Sequence, residues 1–261
     1  MAGEGLPVLF LHGWALGNRS YKRPLERLAR LGCRVYAPAL PGLGGSADLP
    51  ADPCGLDGYA AWADAFVAAV GEKGPVHVVG HSLGGAVAVK LAHDFPDRVR
   101  ALVLMNSLGG DVWRTGGGKI FRMADRPLLD WVSQFSKDLL LDWRAPWTLA
   151  AILEDAAPNI VTNPLGIWRL ANAARRVDLA RELSALRSSR VPVVAVSGSG
   201  DCIVPRASFQ SLCEALGLRG RVVKGRHSWM LSDPGTFAAV MADVLSTAPE
   251  SYGDVEARAA G

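Results

Sequence analysis

The sequence predicts an α/β fold: a doubly wound, mostly parallel sheet with a helical segment inserted before its last strands. Three observations carry this. Short runs rich in Val and Leu recur, with the length and composition of strands buried on both faces. Longer stretches of helical spacing alternate with them, which implies right-handed crossovers. The alternation breaks once, from about residue 111 to 187, where the pattern is helical and five of the eight tryptophans fall. With 261 residues, 49% of them apolar, the chain can bury one sizeable core.

The strand-like runs are Pro7 to Leu11, Cys33 to Pro38, Val76 to Gly80, Val99 to Met105, Pro192 to Ser197 and Arg221 to Lys224. Between the first two, SYKRPLERLARLG places Leu25, Leu28 and Leu31 on one side, and Gly32 is suited to close the helix. Before the third run, Tyr59, Trp62, Phe66 and Val70 recur at spacings of three and four and predict the buried stripe of a second helix. The expected division is a core of residues 1–110 and 188–250, an inserted helical cap at 111–187 without strands, and a loose, polar tail at 251–261. Trp113, Trp131, Trp143, Trp147 and Trp168 of the cap are expected to pack on the core or line a pocket. A last helix starts near Asp233-Pro234, where Asp is a good N-cap and Pro suits the first helical position.

Composition removes several classes of partner. The 28 basic and 25 acidic residues are dispersed, with a net charge of +3, so neither nucleic acid nor an anionic membrane surface is expected as a partner. Cys33, Cys54, Cys202 and Cys213 lack CxxC or metal-ligand spacing, which predicts free thiols and no metal. No run reaches the roughly 18 apolar residues of a spanning helix, and the N-terminus lacks the features of a signal peptide. A cytoplasmic protein without a membrane span is expected; the Asn18-Arg19-Ser20 sequon carries little meaning without export. Gly42, Gly44 and Ala47 satisfy GxGxxA, but Pro50 and Pro53 follow in place of a helix. TGGGKI lacks the first glycine and the final Ser/Thr of a phosphate loop. No nucleotide and no other cofactor is expected.

The chemistry concentrates at Gly80-His81-Ser82-Leu83-Gly84, a GxSxG sequence where the third strand turns directly into a helix. A serine on so tight a turn is held in strained backbone geometry with its Oγ exposed, and the flanking glycines leave room for neighbouring chain. The helix that follows aims its free N–H groups at the same point. Such an alcohol needs a base, and the base needs an acid to fix its tautomer. His227, just past the last strand, is the expected base, because all loops at strand carboxyl ends gather at one edge of a parallel sheet. His77 is read as a packed strand residue, His93 as solvated, and His81 as pointing elsewhere on the turn. Asp201, after the fifth run, is the preferred acid, with Asp111 as rival and Asp233 assigned to helix capping. The chain turns after His12-Gly13, so the backbone N–H groups of Trp14 and Leu83 are candidates for an oxyanion hole.

Together these residues resemble the α/β-hydrolase superfamily over nearly the whole chain. The matching pieces are His12-Gly13, PGLGGS after the second strand, GHSLGG, Asp201 and His227, in the family's order Ser, Asp, His. The resemblance implies a cofactor-free serine hydrolase, esterase- or lipase-like, with a cap. Two departures stand out. The first strand begins near residue 7, so the family's opening hairpin has no room; the sheet is short at one edge, or the native chain starts before Met1. The family's Asp before the second-loop Pro-Gly is replaced, as Ala39 and Leu40 show, which predicts a looser loop. The expected reaction is hydrolysis of a mainly apolar carboxylic ester, short or medium in its acyl chain. Lactone or carbon–carbon bond hydrolysis, perhydrolase or haloperoxidase chemistry, and non-catalytic binding of a small ligand are the alternatives. Oligomeric state leaves no mark in the sequence.

Overall fold

The computed structural model describes residues 1–50, 55–114, 119–141 and 146–247. In chain order the elements are β1 (Leu6–Leu11), α1 (Lys22–Arg30), β2 (Cys33–Tyr36), α2 (Leu56–Ala69), β3 (Val76–His81), α3 (Leu83–Asp94) and β4 (Val99–Met105). Then come β5 (Val112–Arg114), β6 (Ile120–Arg122), α4 (Leu128–Leu141), α5 (Pro146–Thr162), α6 (Pro164–Arg175) and α7 (Ala180–Arg187). The chain closes with β7 (Val193–Gly198), α8 (Arg206–Leu216), β8 (Arg221–Val223), α9 (Trp229–Ser232) and α10 (Pro234–Thr247). The expected tail at 251–261, Trp143, Cys54 and residues 115–118 of the TGGGKI run lie outside the described residues.

Six strands form one sheet in the order β2-β1-β3-β4-β7-β8, with every neighbouring pair parallel. The order reverses between β1 and β3, so the carboxyl ends of these two strands open the crevice where α/β sheets bind ligands. Side chains alternate between two cores. Leu9, Leu11 and Val78 meet α2, α3, α7 and α8 on one face. Val8, Phe10 and Val79 meet α1 and α10 on the other, where Leu25, Leu28, Phe237 and Met241 are buried. Helix α3 is covered on nearly all sides, so its apolar residues run round the whole helix. Lys90, near its end, reaches Asp57 of α2 at 2.9 Å and Glu182 of α7 at 3.1 Å.

Several local expectations are corrected. The buried face of α2 is Ala60, Ala63 and Val67; Tyr59, Trp62 and Phe66 are half-buried beside it, with Trp62 stacked on Phe66. Small residues let the helix approach α3 closely, and the large rings fill the margin. Residues 111–187 are not helical throughout, because β5 and β6 pair as an antiparallel hairpin joined by a Trp113–Phe121 contact at 5.7 Å between ring centroids. Strands of three residues with an exposed face, as in β6, carry no run of apolar residues from which to read them. Of the tryptophans in the insertion, Trp131 packs on the core, whereas Trp147 and Trp168 are exposed.

In place of an opening hairpin, Ala2 makes one antiparallel bridge to Val35 at the β2 edge. The loop after β2 is pinned despite its missing acid: Leu40 is fully buried, and Ser46 Oγ donates to the Ala39 carbonyl at 3.0 Å. Asp233 caps α10, accepting the Thr236 N–H at 2.9 Å. Among the described residues, no helix is long and apolar enough to cross a membrane.

Candidate active site

Ser82 sits between β3 and α3 with φ 55° and ψ −118°, a left-handed conformation that side chains larger than glycine avoid. The turn is tight because two backbones nearly touch: a Cβ at Gly84 would collide with the Leu11 carbonyl, and one at Gly80 with Gly84 itself. The Ser82 N–H is held by the Met105 carbonyl at 3.0 Å, which ties the turn to the end of β4. Leu83 is the first residue of α3, so its N–H has no carbonyl within the helix to bond. Trp14 lies within the turn closed by Leu16 N–H on the Gly13 carbonyl at 3.4 Å, and Ala15 there has φ 60°.

His227, just before α9, is 3% exposed. Its Nδ1 lies 2.9 Å from Asp201 Oδ2. A carboxylate only accepts, so Nδ1 carries the proton and Nε2 is left with a lone pair. Burial pushes the imidazole pKa down, but the nearby carboxylates of Asp201 and Asp138 outweigh it and hold the value above the ordinary 6.5. Asp201 is placed by two bonds to its other oxygen, from the N–H groups of Ile203 and Val204, each at 2.9 Å. Asp111 is elsewhere, paired with Arg122 on the hairpin at 3.0 Å. No hydrogen bond joins Ser82 Oγ to His227 Nε2 among the described residues. Their loops meet through the neighbouring ring of His81, whose centroid is 4.9 Å from that of His227. Catalytic contacts of this kind are often long before substrate binds. A cavity of about 480 Å³ at the outer edge of β2, lined in part by Tyr36, Phe66 and Val70, contains none of these residues.

Residues 8–240 match the family model described as the alpha/beta hydrolase family. The chain belongs to that family. It is 31% identical over 253 residues to a pimeloyl-[acyl-carrier protein] methyl ester esterase of Aromatoleum aromaticum, covering 91% of this chain and 97% of that protein. It is 29% identical over 264 residues to a putative non-heme haloperoxidase of Mycobacterium phage D29, covering 96% and 91%. The crystal structure of a bromoperoxidase from Bacillus anthracis superimposes with a TM-score of 0.75 at 19% identity, covering 94% and 93% of the two chains, a likeness of fold.

Around its six-stranded sheet, this α/β hydrolase surrounds the candidate residues with three groups the sequence did not single out, Asn106, Asp138 and Arg126, and with two histidines not read as the base, His81 and His12. Asn106, at the end of β4 with φ 47°, donates to Asp201 Oδ2 at 2.5 Å and accepts the Trp229 indole N–H at 2.7 Å. Asp138 of α4 accepts the backbone N–H of His227 at 3.0 Å, and burial raises its carboxyl pKa. Arg126 is 2% exposed and donates to the carbonyls of Cys202 and Ile203, the two residues after Asp201. His81 points into the site, not away from it: its Nε2 lies 3.1 Å from the His227 carbonyl and its Nδ1 2.6 Å from Tyr21 Oη. Burial keeps His81 neutral, with a pKa well below 6.5. His12 is held neutral in the same way, down to about 4, and its Nε2 accepts the Leu40 N–H at 2.8 Å. Of these, only Asn106 had a readable signal, a polar residue directly after a strand's carboxyl end.

Proposed function

We propose that this chain is a cofactor-independent serine hydrolase of carboxylic esters with a mainly apolar acyl or alkoxy group. The observation that carries the reading is the conjunction of Ser82 at φ 55° on a strand-to-helix turn with the His227–Asp201 pair at the same sheet edge. In this account Ser82 Oγ attacks the ester carbonyl while His227 Nε2 takes its proton. The N–H groups of Trp14 and Leu83 hold the oxyanion, and Asp201 stabilises the imidazolium. Collapse breaks the C–O bond, and the alcohol leaves with the proton from His227. Water, deprotonated by His227, then releases the acid and regenerates Ser82.

Apolar substrates are favoured by the wall beside the base. Phe135 of α4 stands edge-on to His227 at 6.5 Å between centroids and packs against Trp14 at 5.3 Å. The methyl ester hydrolysed by the Aromatoleum relative fits this class. The test is release of p-nitrophenol from acetyl, butyryl, octanoyl and palmitoyl esters. Turnover that falls with the longest chain is expected; no turnover on any of them from folded protein would overturn the reading.

The name of the phage relative favours a second reading on the same side chains. Hydrogen peroxide in place of water would attack the acyl-enzyme, giving a peracid and free serine. Peracetic acid formed from acetate and peroxide, faster than ester hydrolysis, would establish it.

A further inference from the structure

The turn assigned to the oxyanion hole is held from outside the sheet domain's own loops. Ala151, Asp155 and Asn159 follow one another at spacings of four and so share one face of α5. That face meets the segment after β1. Asp155 is 6% exposed, and its Oδ2 accepts the N–H of Gly17 at 3.1 Å and the N–H of Ser20 at 2.7 Å, with the Ser20 hydroxyl also at 2.7 Å. Ser20 Oγ is also 2.9 Å from the Ala151 carbonyl. One turn along, Asn159 Nδ2 donates to the Ala15 carbonyl at 2.9 Å, and its Oδ1 accepts the Gly44 N–H at 2.7 Å. Ala15 is the residue in the left-handed region, next to Trp14. A strained conformation of this kind persists only where the surroundings over-determine it.

We infer that Asp155, together with Asn159, is a positioning residue for the oxyanion turn, so that helix α5 sets the direction of the Trp14 N–H. This rests on the serine-hydrolase reading. Neither side chain faces the reacting atoms; each acts through backbone groups between Ala15 and Ser20. Loss of Asp155 leaves the Gly17 and Ser20 N–H groups to find other partners, with the Ser20 hydroxyl turning to the Ala151 carbonyl, and releases the turn, while the Ser82, His227 and Asp201 side chains stay where they are. The effect should therefore fall on charge stabilisation in the transition state and spare ground-state binding.

The experiment compares wild type with Asp155→Ala, Asp155→Asn and Asn159→Ala on one p-nitrophenyl ester, and measures inhibition by a trifluoromethyl ketone, which forms a tetrahedral adduct on serine. Asp155→Ala is expected to lower kcat by about a hundredfold, the scale of losing one oxyanion donor, with KM within about threefold. The ketone should weaken by the same factor as kcat/KM. Asp155→Asn, which still offers one carbonyl oxygen, should recover part of the loss. Should Asp155→Ala fail to fold, Asn159→Ala reads the same turn without removing a buried charge. Unchanged kcat in these variants, or a fall in kcat with undiminished ketone affinity, would overturn the positioning role. Wild type that neither cleaves the ester nor binds the ketone would overturn the serine-hydrolase reading instead.

Discussion

The Nε2 of His81 lies 3.1 Å from the backbone carbonyl of His227, so the residue before the candidate nucleophile holds the loop of the candidate base. The contact belongs to a longer chain. The carbonyl can only accept, so His81 donates from Nε2 and its Nδ1 accepts from Tyr21 Oη at 2.6 Å. Tyr21 Oη in turn accepts the Gly13 N–H at 3.1 Å. The loops after β1 and β8 are thereby joined to the end of β3 through buried and neutral groups.

Tyr21→Phe removes the hydroxyl at the centre of that chain and leaves two buried groups unpaired, Gly13 N–H and His81 Nδ1. The expected cost is about 1–3 kcal/mol of stability, read by urea unfolding, together with reduced ester turnover. Wild-type stability in the variant would show that water or a shifted side chain takes the hydroxyl's place.

The acid assignment rests on position. Asp201→Asn should lower kcat by on the order of a thousand- to ten-thousand-fold, because the amide holds the wrong tautomer of His227. Asp111→Asn breaks only an exposed pair with Arg122 and should stay within about threefold. Steady-state kinetics on both variants decides it, and a larger loss at Asp111 would reverse the assignment.

If His227 acts as the proposed base it must be neutral, so kcat/KM should fall with a one-proton slope as pH drops through the His227 pKa, which lies above 6.5. The charged and titratable groups around it are Asp201, Asp138, Arg126, Arg226 and His81. Asp138→Asn keeps an acceptor for the His227 N–H but removes a negative charge that favours the imidazolium. The acidic limb of the profile should move to lower pH in this variant. An unmoved limb would show that Asp138 has no electrostatic hold on the base.

His77 illustrates a cost without a catalytic return. It is buried in β3, its Nδ1 has no hydrogen-bond partner among the described residues, and burial lowers its pKa to about 4, with the charge of Arg100 adding to the effect. The unfolded chain takes up a proton near pH 6.5 and the native state does not, so stability falls as pH drops from 6.5 toward 4. At pH 5 this one group should account for about 1–2 kcal/mol of that loss. His77→Val should raise stability, and by more at pH 5 than at pH 7, as guanidinium unfolding at the two values would show; equal gains would contradict the linkage.

What was legible in the sequence follows from where information is local. The central parallel strands were readable because they are buried on both faces, as with Val76 to Val79, and the turn at Ser82 because Gly80 and Gly84 mark two close backbone approaches. Asp201 and His227 were placed by topology, since strand carboxyl ends share one edge. The groups that orient them were not legible. Asp138, Arg126 and Asp155 bond to backbone atoms far along the chain, and a backbone N–H or carbonyl leaves no residue type to match. His81 was misjudged for the same reason, its partner being the carbonyl of His227. The β5–β6 hairpin escaped because its pairing, not its composition, makes it a strand pair.

The central claim is that Ser82 is an activated nucleophile, and covalent labelling tests it most directly. Wild type, His227→Ala and Ser82→Ala would be incubated with a fluorophosphonate and the modified peptide located by mass spectrometry. The account predicts one label per chain on the peptide carrying Ser82, much slower labelling in His227→Ala, and none in Ser82→Ala. Folded wild type that takes no label, or a Ser82→Ala variant labelled as fast as wild type, would contradict it.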